Sequence, residues 1–110
     1  MTSYTRRIAE APLYIGQNEE IPYTLTFSGF VPAAVTTLTT PVCTLHDVTA
    51  GEPGVSVGAT KLSGSPTFSG VVMTLPLIID LVREHKYLLR CRGTGGGGTY
   101  ELWGEVFGEL

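Results

Sequence analysis

Residues 86–107 read KYLLRCRGTGGGGTYELWGEVF. Apolar and polar side chains alternate on both sides of the glycine-rich centre, and this alternation is typical of β-strands. We therefore predict a β-hairpin in which Gly93 faces Gly98. That register places Leu88 opposite Trp103 and brings opposite charges together across the two strands. Cross-strand pairs of this kind stabilise a sheet, so they favour the register.

The rest of the chain carries shorter strand patterns separated by turn residues. Residues 21–27 alternate apolar and polar side chains, which predicts a half-buried strand. Further strands are predicted at 8–15, 36–48, 55–62 and 71–77. Pro76 precedes apolar residues at helical spacing, so we expect at most one short helical turn near residues 77–84.

Seven short strands with frequent turn signals predict an all-β fold. We expect a single antiparallel seven-stranded sandwich domain over residues 1–110, with an extended N-terminal arm over residues 1–12. The predicted core residues are Tyr23, Leu25, Phe27, Leu45, Tyr87, Leu89 and Leu102.

Residues 81–87, LVREHKY, resemble the tyrosine corner of immunoglobulin-like and fibronectin-like sandwiches. In that motif a Tyr at the start of a strand hydrogen-bonds back to the preceding loop. The resemblance implies an immunoglobulin-like sandwich in which the Tyr87 hydroxyl reaches the turn before its own strand.

The chain as a whole is similar to small immunoglobulin-like virion proteins of tailed phages and prophages. The features in common are IGQNEEIP at residues 15–22, the Thr-rich strands and the Gly-rich hairpin. This resemblance implies a non-enzymatic structural or assembly subunit of a head, neck or tail, located in the virion or the host cytoplasm. Its partners would be other copies of itself or other virion proteins.

Charge and hydropathy argue against two classes of partner. The net charge is −3 and basic residues are not clustered, so we expect no binding to nucleic acid. The longest apolar run, residues 75–79, is far shorter than the roughly 20 residues that span a bilayer, so no membrane segment is expected. The N-terminus lacks the apolar stretch of a signal peptide.

No cofactor or metal site is expected. Three hairpin glycines fit the G-x-G-x-x-G pattern, but a strand rather than a helix follows them, so a nucleotide would find no helix N-terminus. The potential zinc ligands are Cys43, His46, His85 and Cys91. Residues three apart on a strand face opposite sides, and His85 and Cys91 are separated by roughly 20 Å, so four of them cannot converge on one ion.

Cys43 and Cys91 are expected to be reduced, buried thiols, with a disulfide between them as the alternative. A thiol at Cys91 that faces the core would be protonated and inert. We find no paired acid and base, and therefore expect no catalytic residues and no enzymatic activity.

The hairpin offers a candidate interface on the face turned away from the core. Leu88, Trp103 and Phe107 are predicted as its apolar anchors, with Arg90 and Arg92 at the rim. Either the N-terminal arm covers this face in the same chain, or the face binds a partner.

A carbohydrate- or protein-binding sandwich is the alternative function. In this case Trp103, Tyr100 and the hairpin tip around Gly95 would offer a stacking surface for a sugar ring.

Overall fold

The computed structural model describes residues 2–7, 13–16, 23–51 and 54–109. Most of these residues are in β-strands, which confirms the prediction of a β-rich chain. The described residues form eleven strands, whereas seven were predicted. The strands are β1 (Thr2–Arg7), β2 (Leu13–Gly16), β3 (Thr24–Thr26), β4 (Thr39–Asp47), β5 (Val55–Ser56), β6 (Leu62–Ser63), β7 (Thr67–Ser69), β8 (Val72–Thr74), β9 (Leu77–Ile78), β10 (Lys86–Gly95) and β11 (Gly98–Glu109). The helix α1 spans Gly58–Lys61.

The largest sheet has the order β1-β11-β10-β4-β5, and β2 also pairs with β11. A second sheet has the order β3-β8-β7, and β6 pairs with β9 in a third. The prediction of antiparallel pairing is confirmed for most ladders, but β1 and β2 run parallel to β11. The twelve-residue β11 is long enough to pair with β1 at one end and with β2 at the other.

The N-terminal arm was predicted over residues 1–12. Its described part, Thr2–Arg7, is β1 and extends the large sheet at the edge of β11. Residues 1 and 8–12 lie outside the described residues, as does part of the strand predicted at 8–15.

A two-residue turn closes the β10–β11 hairpin. Gly95 pairs with Gly98, and Gly96 and Gly97 connect them with φ angles of 57° and 78°. Positive φ at both central residues is the geometry of a type I′ turn, whose twist matches that of the flanking strands. The predicted pairing of Gly93 with Gly98 is therefore wrong by two residues. The turn is shorter than predicted because Gly96 and Gly97 adopt positive φ without strain.

A shift of two residues changes the cross-strand partners and preserves the faces. Leu88 lies opposite Glu105, and Trp103 lies opposite Arg90. Lys86 still reaches Glu105, but along a diagonal, with 2.9 Å between Nζ and Oε2. The predicted division of the hairpin into a core face and an outer face is thus confirmed.

Side chains from the two larger sheets share one apolar core. Leu25 and Met73 come from the three-stranded sheet, and Leu45, Leu89 and Leu102 come from the large sheet. Six of the seven predicted core residues are buried, and Tyr23 is half-buried against the same cluster.

The turn before β10 is fixed by the Tyr87 side chain. Its hydroxyl accepts a hydrogen bond from the backbone N–H of Val82, with 2.9 Å between the two atoms. The predicted bond from the tyrosine to its preceding loop is therefore confirmed. The same turn is tied to β11, because the carbonyl of Gly108 accepts the N–H of Glu84.

Helical structure was predicted in the wrong place. Leu77 and Ile78 form β9 instead, and Asp80 and Glu84 have φ angles of 52° and 68°, which a right-handed helix cannot contain. The helix α1 lies in the segment 55–62 that was predicted as a strand.

Candidate functional site

The outer face of the hairpin is the first candidate site. We define it by the alternate residues that point away from the core: Lys86, Leu88, Arg90 and Arg92 on β10, and Glu101, Trp103, Glu105 and Phe107 on β11. Their neighbours in sequence, among them Tyr87, Leu89 and Val106, belong to the buried core. The strand period of two therefore separates the residues of the core face from those of the outer face along both strands.

The five predicted interface residues differ in burial, from exposed to buried. Arg90 and Arg92 are exposed, and Trp103 and Phe107 are half-buried. Leu88 is only 6% exposed, so the expectation of an exposed apolar anchor at this position is wrong. Leu88 lies on a central strand between β4 and β11, where His46 and Glu105 are its cross-strand partners.

A shallow cavity of about 300 Å³ opens on the outer face. It is lined by Thr5 of β1 together with Leu88, Arg90, Glu101 and Trp103. Thr5 pairs in register with Glu101, so β1 continues the sheet at this edge and forms one wall of the cavity. An indole beside a guanidinium is a combination that is enriched in protein interfaces.

The alternative carbohydrate surface does not form as predicted. Tyr100 is 4% exposed and its ring packs edge-on against Phe30, with 5.5 Å between the ring centres. Trp103 is on the opposite face of β11 because the two residues differ by an odd number of positions. The two rings therefore cannot stack against one sugar.

The second candidate site lies at the end of β4 and was not predicted from the sequence. A cavity of about 460 Å³ is lined by Asp47, Thr49, Ala50, Val55, Val57 and His85. The Nδ1 atom of His85 is 2.7 Å from Oδ2 of Asp47. The other oxygen, Oδ1, accepts the Thr49 hydroxyl at 2.6 Å and the Thr49 N–H at 3.0 Å.

These contacts keep Asp47 ionised. Partial burial acts to raise the pKa of the Asp47 carboxyl, but the hydrogen bonds from Thr49 and His85 outweigh it and lower the pKa below its usual value of 3.8. The Thr49 hydroxyl donates to Asp47 and accepts the N–H of Lys86 at 3.0 Å. The hydroxyl of Thr49 therefore does not donate to His85, as a catalytic nucleophile would donate to its base. Instead, the network connects the end of β4 to the start of β10.

The two cysteines are the remaining reactive groups that the sequence singled out. Both are free thiols, and Cys43 lies directly opposite Cys91 on the neighbouring strand. A hydrogen bond with Cys43, together with burial, raises the pKa of the Cys91 thiol well above 9.0. This thiol is therefore protonated at neutral pH, as expected for a core residue.

The strand alternation also separates the potential metal ligands. Cys43 contacts the core, whereas His46 is an odd number of residues away on β4 and faces the other side. Within the described residues, no three His, Cys, Asp or Glu side chains come together in a metal-binding group. The described part of the chain also contains no helix long and apolar enough to cross a membrane.

Comparisons of this chain with protein-family models, with curated proteins and with solved structures found no match.

Proposed function

We propose that the protein is a non-enzymatic assembly subunit with an immunoglobulin-like topology, and that it acts through the outer face of its hairpin. The strand order supports this topology. Taken in their order within each sheet, β3, β8 and β7 correspond to strands B, E and D of an immunoglobulin domain, and β4, β10 and β11 correspond to C, F and G. The Tyr87 hydrogen bond is the corner expected at the start of strand F.

The composition of the outer face is the observation that carries the functional proposal. Trp103 and Phe107 are half-buried there, and Arg90 and Arg92 are exposed beside them. Aromatic residues and Arg are enriched where interfaces derive most of their binding energy. Trp103 and Arg90 are direct cross-strand partners, so an indole and a guanidinium are presented side by side.

The arrangement of charges favours a second copy of the chain as the partner. The bases of the outer face lie on β10, at Lys86, Arg90 and Arg92, and its acids lie on β11, at Glu101 and Glu105. Suppose that two copies face each other through their outer faces. A two-fold axis that lies between the copies, parallel to the strands and midway between β10 and β11, would place β10 of one copy over β11 of the other. The strand that carries the bases would then face the strand that carries the acids, with Arg92 of one copy over Glu101 of the other.

The assembly that we propose is a phage or prophage particle. This part of the proposal rests on the resemblance carried by residues 15–22, the Thr-rich strands and the Gly-rich hairpin, and the location that it implies is the virion or the host cytoplasm.

A charge-complementation experiment tests the proposed interface. The Arg90→Glu/Arg92→Glu variant has a mainly acidic outer face, and the Glu101→Lys/Glu105→Lys variant has a basic one. We expect each variant to be monomeric in sedimentation velocity, because like charges oppose each other across the interface. We expect an equimolar mixture of the two to associate.

Circular dichroism controls for folding of both variants, and a Val72→Ser variant controls for a surface change on the other sheet, where Val72 is exposed. Self-association of both charge variants at the wild-type affinity would overturn the proposed interface.

A further inference from the structure

Cys43 and Cys91 lie on β4 and β10, two neighbouring interior strands of the large sheet. They are Cα partners in the antiparallel pairing of β4 with β10. Their Sγ atoms are 3.5 Å apart, and both thiols are free. The sulfur atoms are therefore already in contact, although the residues are 48 positions apart in the chain.

The backbone hydrogen bonds identify the geometry of this pair. The carbonyl of Leu45 accepts the N–H of Val57 at 2.9 Å, so it points away from β10. Cys43 lies two residues earlier on the same strand and has the same orientation. Cys43 and Cys91 are thus a non-hydrogen-bonded pair, in which the Cα atoms are typically about 4.5 Å apart and the side chains approach most closely. That spacing is within the range of about 4.4 to 6.8 Å that disulfides span.

The two thiols differ in access. Cys91 is completely buried, whereas Cys43 is half-buried. The Sγ of Cys43 also lies 3.4 Å from the Sδ of Met73, on β8 of the facing sheet. Cys43 is therefore the more exposed residue of the pair, and we take it as the one that reacts first, with Cys91 lying against it in the core.

We propose that Cys43 and Cys91 are a redox-active pair that closes into a reversible cross-strand disulfide, with a low-molecular-weight disulfide as the oxidant. In the first step the sulfur of Cys43 attacks the oxidant. The oxidant's S–S bond breaks, one reduced thiol leaves with the proton of Cys43, and Cys43 holds a mixed disulfide.

In the second step the Cys91 thiol, which is protonated at rest but lies against the Cys43 sulfur, gives its proton to the departing thiolate as it attacks Cys43, and the second reduced thiol is displaced. The two cysteines together lose two electrons and two protons, and the oxidant gains them. An excess of a dithiol reductant reduces the internal disulfide to two thiols and is itself oxidised to a cyclic disulfide.

The disulfide would join β4 to β10, and β10 carries half of the outer face. Closing a loop between distant residues restricts the unfolded chain, so the oxidised protein should resist unfolding more than the reduced protein. We expect the midpoint temperature of unfolding to rise by at least about 5 °C on oxidation.

The test is to incubate the folded protein with oxidised glutathione, block the remaining thiols with iodoacetamide and measure the intact mass. The proposal predicts a product that is lighter than the reduced chain by two hydrogen atoms, with no added glutathione or alkyl group. Peptide mapping should recover Cys43 linked to Cys91, and dithiothreitol should restore both thiols.

Two single variants separate the steps. Cys91→Ser should retain glutathione on Cys43, because the second thiol is missing. Cys43→Ser should remain unmodified as long as it is folded, because Cys91 is buried. Wild-type protein that keeps both thiols, or that keeps glutathione on Cys43 without an internal bond, would overturn the proposal. This wild-type result does not depend on whether the variants fold.

Discussion

The hydroxyl of Tyr87 accepts a hydrogen bond from the backbone N–H of Val82 across five residues of chain, with 2.9 Å between the oxygen and the nitrogen. Tyr87 is completely buried, so its ring is anchored in the core while its hydroxyl satisfies a backbone donor of the turn. The contact connects the packing of β10 to the shape of the segment that leads into it.

We predict that Tyr87→Phe destabilises the protein by about 1 to 2 kcal/mol, because it leaves the N–H of Val82 without its acceptor. Urea unfolding followed by Trp103 fluorescence measures the change. Val82→Ala is the matched control, since it keeps the backbone N–H and removes a side chain that is 42% exposed. Equal stability of Tyr87→Phe and wild type would show that the hydrogen bond is not needed.

Gly108 on β11 packs against the turn that precedes β10. A Cβ at this position would collide with the backbone carbonyl of Val82, which cannot move without breaking the bonds between the turn and β11. We expect Gly108→Ala to cost about 2 kcal/mol or more in the free energy of unfolding.

Gly58→Ala serves as the control for Gly108→Ala. A Cβ at Gly58 would lie 3.6 Å from the Leu62 side chain, an ordinary contact, and Ala is favoured over Gly in a helix. Thermal unfolding of both variants compares them directly, and the explanation fails if Gly108→Ala is as stable as Gly58→Ala.

The stability of the protein should depend on which residue replaces Gly97 in the hairpin turn. Its φ of 78° is left-handed, and a Cβ there meets no atom within 4 Å, so backbone strain alone decides the outcome. Gly97→Val should cost about 1 to 2 kcal/mol, whereas Gly97→Asn should cost less because Asn tolerates this conformation. Equal losses in chemical denaturation would argue against the two-residue turn.

The Asp47 contacts predict a dependence of stability on pH. The folded-state pKa of Asp47 lies below its usual value of 3.8, so the contribution of this carboxylate is complete above that pH and is lost as the pH falls through the folded-state pKa. Asp47→Asn should therefore be less stable than wild type at pH 6, by about 1 kcal/mol. The difference should shrink below about pH 4.

Denaturant unfolding at several pH values measures this difference. Asp80→Asn controls for the loss of one negative charge, because Asp80 is exposed and its left-handed φ suits Asn. A gap between wild type and Asp47→Asn that stays constant down to pH 2 would refute the proposed role of the carboxylate.

Local patterns predicted the faces of the hairpin but not its register. The alternation around Tyr87 and Leu102 identifies which side chains point inwards, and that information survives a shift of two residues. The register depends on which glycines form the turn, and a run of four glycines from Gly95 to Gly98 offers several choices that residue type alone does not rank.

Contacts between distant segments were the least predictable. The parallel pairing of β1 with β11 joins the two ends of the chain, and no local pattern encodes it. The burial of Leu88 follows from its central place in the large sheet, and the contact of His85 with Asp47 follows from the pairing of β10 with β4. These contacts depend on which strands are neighbours in the sheet, and the alternation of residues within one strand does not predict its neighbours.

The central claim is that the outer face joins copies of this chain, and the mass in solution tests it most directly. Light scattering on a sizing column, over a range of loading concentrations, should give a mass at least twice that of the 11.8 kDa chain at high concentration and a falling mass on dilution. Trp103→Ala should remain at 11.8 kDa throughout. A wild-type mass of 11.8 kDa at every concentration, indistinguishable from that of Trp103→Ala, would contradict the claim.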